Sequence, residues 1–403
     1  MSAERLVWRW NDFDPLEEVM VGVADDACFP PLEPACQSEF NDQHTKYGAK
    51  MSHAFSEYVP WPTGPKLKRF IKAANNELDG MVTMLEGEGV QVIRPDRSLC
   101  QFNVRTKTPD WESPNQYCVV CPRDVLVTIG NEILEAPMCK RSRFFEYRPF
   151  RTAVKSYFDR DPKCVWSAAP KPMMGDESYN VEFWDWDTEE RMKRMHKYTY
   201  CINEHEIMFD AADCMLVGNM MFVQQSMVTN LAGIRWLKRQ YEPKGITVKT
   251  LHFPYDLYPS HMDCTFVAAR PGLAFTNPDR PVVEEEVKIF KQNDWRLVDV
   301  PMWDGSQEHP VMCQSSRWLS MNVFQISPTK IVVEEGEKAF INMLESEHGF
   351  DVIPIPYRNV FEFGGSLHCS TWDIRRKGDM QDYFPNREGC EEDIGMTSLT
   401  KLP

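Results

Sequence analysis

The sequence predicts an α/β fold assembled from five similar units. Apolar runs of strand character come in pairs around segments with helical spacing, and this happens five times within 403 residues. The second run of each pair usually stops at a proline, which cannot donate to a strand ladder. No G-x-G-x-x-G follows the first run, so an ordinary doubly wound nucleotide-binding sheet lacks its signature.

In the first unit a strand at 18–23 precedes a helix around 66–85 and a strand at 90–95. The second has 125–129, a helix around 144–158 and 164–170. The third has 214–223, a helix around 228–241 and 246–254, and the fourth has 273–275, a helix around 284–293 and 295–301. The fifth runs through 331–333, a helix around 337–348 and 351–354. Repeated units of this kind bury their apolar faces on their neighbours, which argues for a closed pseudo-symmetric array. Residues 1–403 therefore read as a single domain, with the polar, aperiodic stretch 30–65 as an insertion.

Composition narrows the function. Lys plus Arg number 45 against 60 Asp plus Glu, a net charge of −15, which disfavours nucleic acid or an anionic membrane as partner. No apolar run reaches the length of a membrane helix, and Met1-Ser2-Ala3-Glu4-Arg5 lacks the pattern of a leader, so a cytoplasmic enzyme is expected. The thirteen cysteines are scattered through a long chain, as buried thiols are, and only Cys118-Val119-Val120-Cys121 has C-x-x-C spacing. With no partner pair at zinc spacing and no histidine cluster, a metal cofactor is not expected.

Three segments place reactive groups beside turns or strand ends. They are Phe209-Asp210-Ala211-Ala212-Asp213, Ser260-His261-Met262-Asp263-Cys264, and the glycine-led Gly364-Gly365-Ser366-Leu367-His368-Cys369. Alternation in an extended chain puts His261 and Asp263 on one face. A thiolate nucleophile, an imidazole that moves the proton and a carboxylate that orients the imidazole make a working set, if three such loops meet at one end of the ring. Taken singly, each residue has a bland reading as core or turn.

At these residues the chain resembles the amidinotransferases. The resemblance runs over nearly the whole length, through Asn11-Asp12-Phe13-Asp14-Pro15, Lys107-Thr108-Pro109-Asp110, Gly130-Asn131-Glu132-Ile133-Leu134-Glu135-Ala136-Pro137-Met138 and Arg141-Ser142-Arg143-Phe144-Phe145-Glu146-Tyr147. It continues through Phe209 and Asp210, Asn277-Pro278-Asp279-Arg280-Pro281, Ser315-Ser316-Arg317-Trp318 and His368-Cys369. It implies a five-fold pseudo-symmetric α/β propeller of the guanidino-group-modifying type, without metal or cofactor, closed around one active site. It further implies transfer of an amidino group from L-arginine to an acceptor amine, with release of L-ornithine, by a homodimer.

The resemblance places the nucleophile on Cys369, the catalytic histidine on His261 and its aspartate on Asp210. Substrate-binding positions fall on Asp110, Asp263, Arg280, Ser315 and Ser316, and acceptor preference on Tyr258 and Ser260. Carboxylates suit arginine's planar, permanently charged fork, and Arg280 with the two hydroxyls suits its carboxylate. Asp213, His368 and Trp318 are expected to be structural. One departure is Gly218-Asn219-Met220, where the family often has Gly-Arg-Asp, so any ion pair made there elsewhere is missing. Glycine is the first choice of acceptor. The alternatives are a larger amine of lysine or aminocyclitol type, an arginine deiminase-like hydrolase, and a catalytically silent arginine-binding propeller.

Overall fold

The computed structural model describes residues 5–35, 64–254, 261–301 and 321–390. The α/β class holds. Among the described residues there are five three-stranded sheets with one topology, none of them closed on itself. In each, an outer strand pairs antiparallel with a central one. A helix then crosses over to a third strand parallel to the centre, as a parallel connection requires.

The second unit is Leu126–Ile129, Glu132–Glu135, helix α2 (Arg151–Arg160) and Val165–Ala168. The third is Cys214–Val217, Met220–Gln224, α3 (Leu231–Tyr241) and Thr247–Leu251. The fourth is Phe266–Arg270, Leu273–Thr276, α4 (Glu284–Gln292) and Arg296–Asp299. The fifth is Phe324–Ser327, Lys330–Glu334, α5 (Lys338–Ser346) and Asp351–Ile355. The first differs in one respect. Its centre, Leu16–Val21, leads through α1 (Lys68–Gly87) to Gln91–Ile93, but its outer strand is Thr371–Arg376 from the far end of the chain.

The sequence therefore marks the crossover helices, the third strands and most central strands, and underreads the outer ones except in the second unit, where it marks the outer Leu126–Ile129 and misses the central Glu132–Glu135. What reads as one run at 214–223 is a hairpin, turned at Gly218 with φ 64°. A Cβ at that glycine would meet the Gln381 carbonyl oxygen at 2.0 Å. The second helix starts later than its apolar spacing suggests, because 141–150 is spent on 3₁₀ turns. Most of the expected insertion at 30–65 lies outside the described residues.

Strand alternation explains how the units are glued together. Phe266 and Ala268 pack with Met215, Val217 and Phe222 of the third unit, whereas Val267 and Ala269, one residue out of phase, pack with Ile331 and Val333 of the fifth. Likewise Cys214 and Leu216 face a cluster shared with Leu126 and Leu134, opposite in phase to Met215 and Val217. Val332 joins Val19, Leu78 and Leu85, which links the fifth unit to the first. Helix α1 contributes its stripe of Ala74, Leu78, Met81 and Leu85, the spacing of one helical face.

The outer and central strands are thus buried on both faces, the outer strand of the first unit among them. Trp372 is 1% exposed and donates from Nε1 to Thr128 Oγ1 at 3.0 Å, tying the last strand to the second unit. Trp372→Ala should lower unfolding stability by about 3–5 kcal/mol, read as a fall in the urea midpoint with a nearly unchanged slope.

Candidate active site

Each reactive side chain is delivered by a loop next to an outer strand. Cys369 precedes Thr371–Arg376, Asp210 precedes Cys214–Val217, and His261 and Asp263 precede Phe266–Arg270. Asp124 sits in the helical turn Pro122–Val125, which feeds Leu126–Ile129. Proline at the start of that turn suits a helical first position, where its missing N–H costs nothing. The expected extended chain through His261 and Asp263 is instead the 3₁₀ turn Met262–Cys264. His261 at φ 59° holds a positive φ that is uncommon for a residue with a Cβ, a strain that such sites often carry.

The loop geometry is secured by hydrogen bonds. Asn322 Oδ1 accepts from the backbone N–H of His368 at 2.9 Å and of Cys369 at 3.0 Å, which sets the direction of the nucleophile's side chain. Gly365 lets the chain fold back here, since a Cβ on it would lie 2.4 Å from Cys121 Sγ and 2.8 Å from Cys369 Cβ. Asn230 caps α3 through the Gly233 N–H and also accepts from Met208 N, fixing the approach to Asp210. The N–H of Asp210 donates to Thr229 Oγ1 at 3.3 Å.

At the centre, His261 is held between two carboxylates. Its Nε2 lies 3.0 Å from Asp210 Oδ2, and its Nδ1 lies 3.5 Å from Asp124 Oδ1. Arg143 reaches the same pair, at 2.9 Å from Asp124 Oδ2 and 3.7 Å from Asp210 Oδ2, and also contacts Glu146 at 2.7 Å. On the other side Asp263 Oδ2 is 3.4 Å from Cys369 Sγ and 2.7 Å from His368 Nδ1. Behind that, His368 Nε2 is 3.6 Å from Asp12 Oδ1, and Arg123 bridges Asp12 and Asp373 at 3.2 and 2.6 Å.

These contacts set the charges. Hydrogen bonds from the Cys121 and Cys264 thiols, together with the His261 imidazole, hold the Cys369 thiol well below its ordinary pKa despite burial. Cys121 and Cys264 are pushed up in return, first by the hydrogen bond to Cys369 and then by burial. Burial would lower His261, but the Asp124 charge, the Asp210 and Cys369 hydrogen bonds and the Asp210 charge raise it well above the usual value. Both shifts favour the thiolate and imidazolium forms. Burial pushes Asp124 up to about 6, with His261 and Arg143 pulling it back. Asp124 Oδ1 and Asp210 Oδ1 are buried with no hydrogen-bond partner among the described residues, a costly state that a cationic ligand with several N–H donors would relieve.

The structure brings Cys369, His261, Asp210 and Asp263 together as the sequence suggests. Arg280 is buried close enough to Cys264 to offset part of that thiol's shift. Asp110 is not brought there. It sits exposed on a turn, with its N–H on Thr108 Oγ1, and no hydrogen bond or ion pair joins it to the other candidates among the described residues. The second carboxylate beside His261 is Asp124, which sequence reading missed. Its only signal was an Arg-Asp pair inserted at the entry to an apolar run. Tyr258, Ser260, Ser315, Ser316 and Trp318 lie outside the described residues.

Asp213 accepts from Ser226 and Thr229 hydroxyls at 2.7 and 2.6 Å, and burial raises it to about 7. Asn219, at the family's usual Arg-Asp position, pairs with Arg387 and Asp382 instead.

Cys369 and His261, ringed by buried carboxylates, make a site whose charge suits a cationic planar group. The chain belongs to the amidinotransferase family and is an amidinotransferase, a transferase of amidino groups. It is 38% identical over 378 residues to the mitochondrial glycine amidinotransferase of Gallus gallus, covering 94% of this chain and 85% of that one. It is 34% identical over 382 residues to the L-arginine:L-lysine amidinotransferase of Pseudomonas savastanoi pv. phaseolicola, covering 94% and 96%. Among solved structures, SxtG, an amidinotransferase of the saxitoxin biosynthetic pathway from Microseira wollei, is similar with a TM-score of 0.80 and 32% identity, covering 94% and 99%. No protein-family model matches the chain. Among the described residues no helix is long and apolar enough to cross a membrane. The cytoplasmic expectation sits uneasily with vertebrate relatives named mitochondrial.

A thiolate reacts with alkylating agents and a thiol hardly does, so the pH dependence of Cys369 reports its ionisation. Iodoacetamide should label the Cys369 peptide well below pH ~8.5, the region where free cysteine ionises. Removing the imidazolium in His261→Ala removes a group that lowers the thiol, so the labelling midpoint should move to higher pH, as read by peptide mass spectrometry.

Proposed function

We propose that this amidinotransferase moves the amidino group of L-arginine to glycine through a covalent amidino-cysteine on Cys369, releasing L-ornithine. The observation that carries the reading is Cys369 Sγ set beside Asp263, with His261 held between Asp124 and Asp210 and one oxygen of each of these two lacking a hydrogen-bond partner among the described residues. Those oxygens match the N–H fork of a guanidinium, and in this reading Asp124 takes the place first given to Asp110. Glycine as acceptor draws its support from the glycine amidinotransferase of Gallus gallus.

The steps balance as follows. The Cys369 thiolate attacks the guanidinium carbon to give a tetrahedral adduct. The bond from that carbon to the ornithine nitrogen breaks as the His261 imidazolium delivers its proton to that nitrogen. Ornithine leaves, and the amidino group remains on sulfur. Neutral His261 then takes a proton from the incoming amine, which attacks the amidino carbon. The C–S bond breaks and the thiolate returns. Asp210 holds the ring and favours its charged form throughout. Arg280, Ser315 and Ser316 are assigned to the substrate's carboxylate, and Tyr258 and Ser260 to the choice of acceptor.

The same proposal takes 1–403 as one domain whose five units stand round a common axis as a propeller. Its support is a buried cavity of about 30 Å3 lined from every unit, by Arg123, Cys214, Phe266, Gln325 and His368 among others. A homodimer, acting on small molecules in the cytoplasm without cofactor, completes the reading.

Incubation with L-arginine alone should add one amidino group to the intact protein, mapped by mass spectrometry to Cys369. A folded enzyme that transfers amidino groups without such an adduct would sink the covalent scheme. Cys369→Ala should abolish transfer, and His261→Ala should reduce kcat by about 10²–10⁴-fold. An acceptor screen scoring ornithine release should favour glycine. Preference for lysine or an aminocyclitol would reassign the acceptor, and citrulline formed without an amine would indicate a deiminase-like hydrolase. Arginine binding with no turnover would indicate a silent propeller.

A further inference from the structure

Two thiols, Cys121 and Cys264, crowd Cys369, and the reaction above uses neither. Cys264 lies beside Asp263, which the proposed function assigns to the substrate. Cys264 Sγ is 3.6 Å from Asp263 Oδ1, Cys369 Sγ is 3.4 Å from Asp263 Oδ2, and ligand atoms of all three residues fall within 4.8 Å of one another. Among the described residues this is the one cluster of three or more such side chains with that spacing.

The two sulfur-to-oxygen distances, each to a different oxygen of the Asp263 carboxylate, are close to the edge of a tetrahedral site. Zinc bonds of about 2.3 Å to sulfur and 2.0–2.2 Å to oxygen imply sulfur-to-oxygen edges of about 3.6 Å. We propose that Asp263, Cys264 and Cys369 form a binding site for a thiophilic divalent cation of the zinc or cadmium class, whose occupancy excludes the guanidinium and blocks the nucleophile.

The surroundings are built to support ligands of this kind. His368 Nδ1 bonds the Asp263 carboxylate at 2.7 Å, the outer hydrogen bond that ligating carboxylates commonly carry. Asn322 Nδ2 reaches Cys264 Sγ at 3.5 Å and the Asp263 carbonyl at 3.4 Å, and its Oδ1 fixes the backbone of Cys369. Two thiolates and a carboxylate supply three donors and leave the fourth tetrahedral position for water. Binding forms two metal–sulfur bonds. Cys369 enters as thiolate, Cys264 gives its proton to solvent, and no oxidant or reductant is needed. The site is inhibitory rather than a resident cofactor site, because it consumes the thiolate that the transfer reaction requires.

Cadmium is the direct probe, since each cadmium–thiolate bond adds to an ultraviolet charge-transfer band. Titrating the reduced full-length protein with Cd2+ should saturate one site with the amplitude of two thiolates. Cys264→Ser, which keeps the side-chain shape, should halve the saturating amplitude, and L-arginine should shift the titration to higher Cd2+. In turnover assays Zn2+ should inhibit competitively with L-arginine, with an inhibition constant raised about 10-fold or more in Cys264→Ser. A wild-type amplitude of one thiolate, or equal amplitudes in wild type and a Cys264→Ser protein of unchanged circular dichroism, would overturn the proposal. The band is read without turnover, so failure of the metal site is distinguishable from failure of the proposed reaction.

Discussion

The pairing of Thr371–Arg376 with Leu16–Val21 is the constraint on which the rest of the molecule depends. It joins residues more than 350 positions apart, so the chain must close a very long loop before the first sheet has its outer strand. Every other unit obtains that strand locally, from a hairpin. The same pairing delivers the proposed nucleophile, because Cys369 lies two residues before the strand begins. The Gly22 N–H donates to the Ser370 carbonyl, and Arg123 Nε donates to the His368 and Thr371 carbonyls, so the nucleophile loop is clamped from two other segments.

Charge compensation underlies the site. A group of buried carboxylates would be prohibitively costly alone, and buried arginines make it tolerable. Arg143 serves Asp124, Asp210 and Glu146, while Arg123 serves Asp12 and Asp373, which is also held by Arg376. The compensation is incomplete at the reacting end. Burial raises Asp124 to about 6 and Glu146 to about 7, and His261 is driven to its charged form. In the proposed reaction the guanidinium of the substrate completes the balance. The net charge of −15 therefore agrees in sign with the substrate class, although only these few buried groups matter for recognition.

Much of this was legible in residue order. The helical stripe of α1 and the apolar runs at the central strands mark the crossover units, because burial on one face imposes a period that a single sequence displays. The outer strands were harder. Met215 and Val217 face one neighbour while Cys214 and Leu216 face another, so the strand is apolar throughout and merges with its hairpin partner. Of the site, the loops carrying Asp210, His261 and Cys369 stood out because each set a reactive group beside a strand end. Asp124 did not stand out, because nothing local distinguishes it from an aspartate starting a helical turn.

The sequence by itself determined the repeating strand–helix–strand alternation, the family and the three segments that supply thiol, imidazole and carboxylate. These are local properties, written in spacing and in the chemistry of neighbouring residues. Only the tertiary structure decided which carboxylates surround His261, which thiols donate to Cys369 and which strand completes the first sheet. Those choices depend on contacts between residues far apart in the chain, and on a burial that changes protonation, neither of which a local pattern encodes.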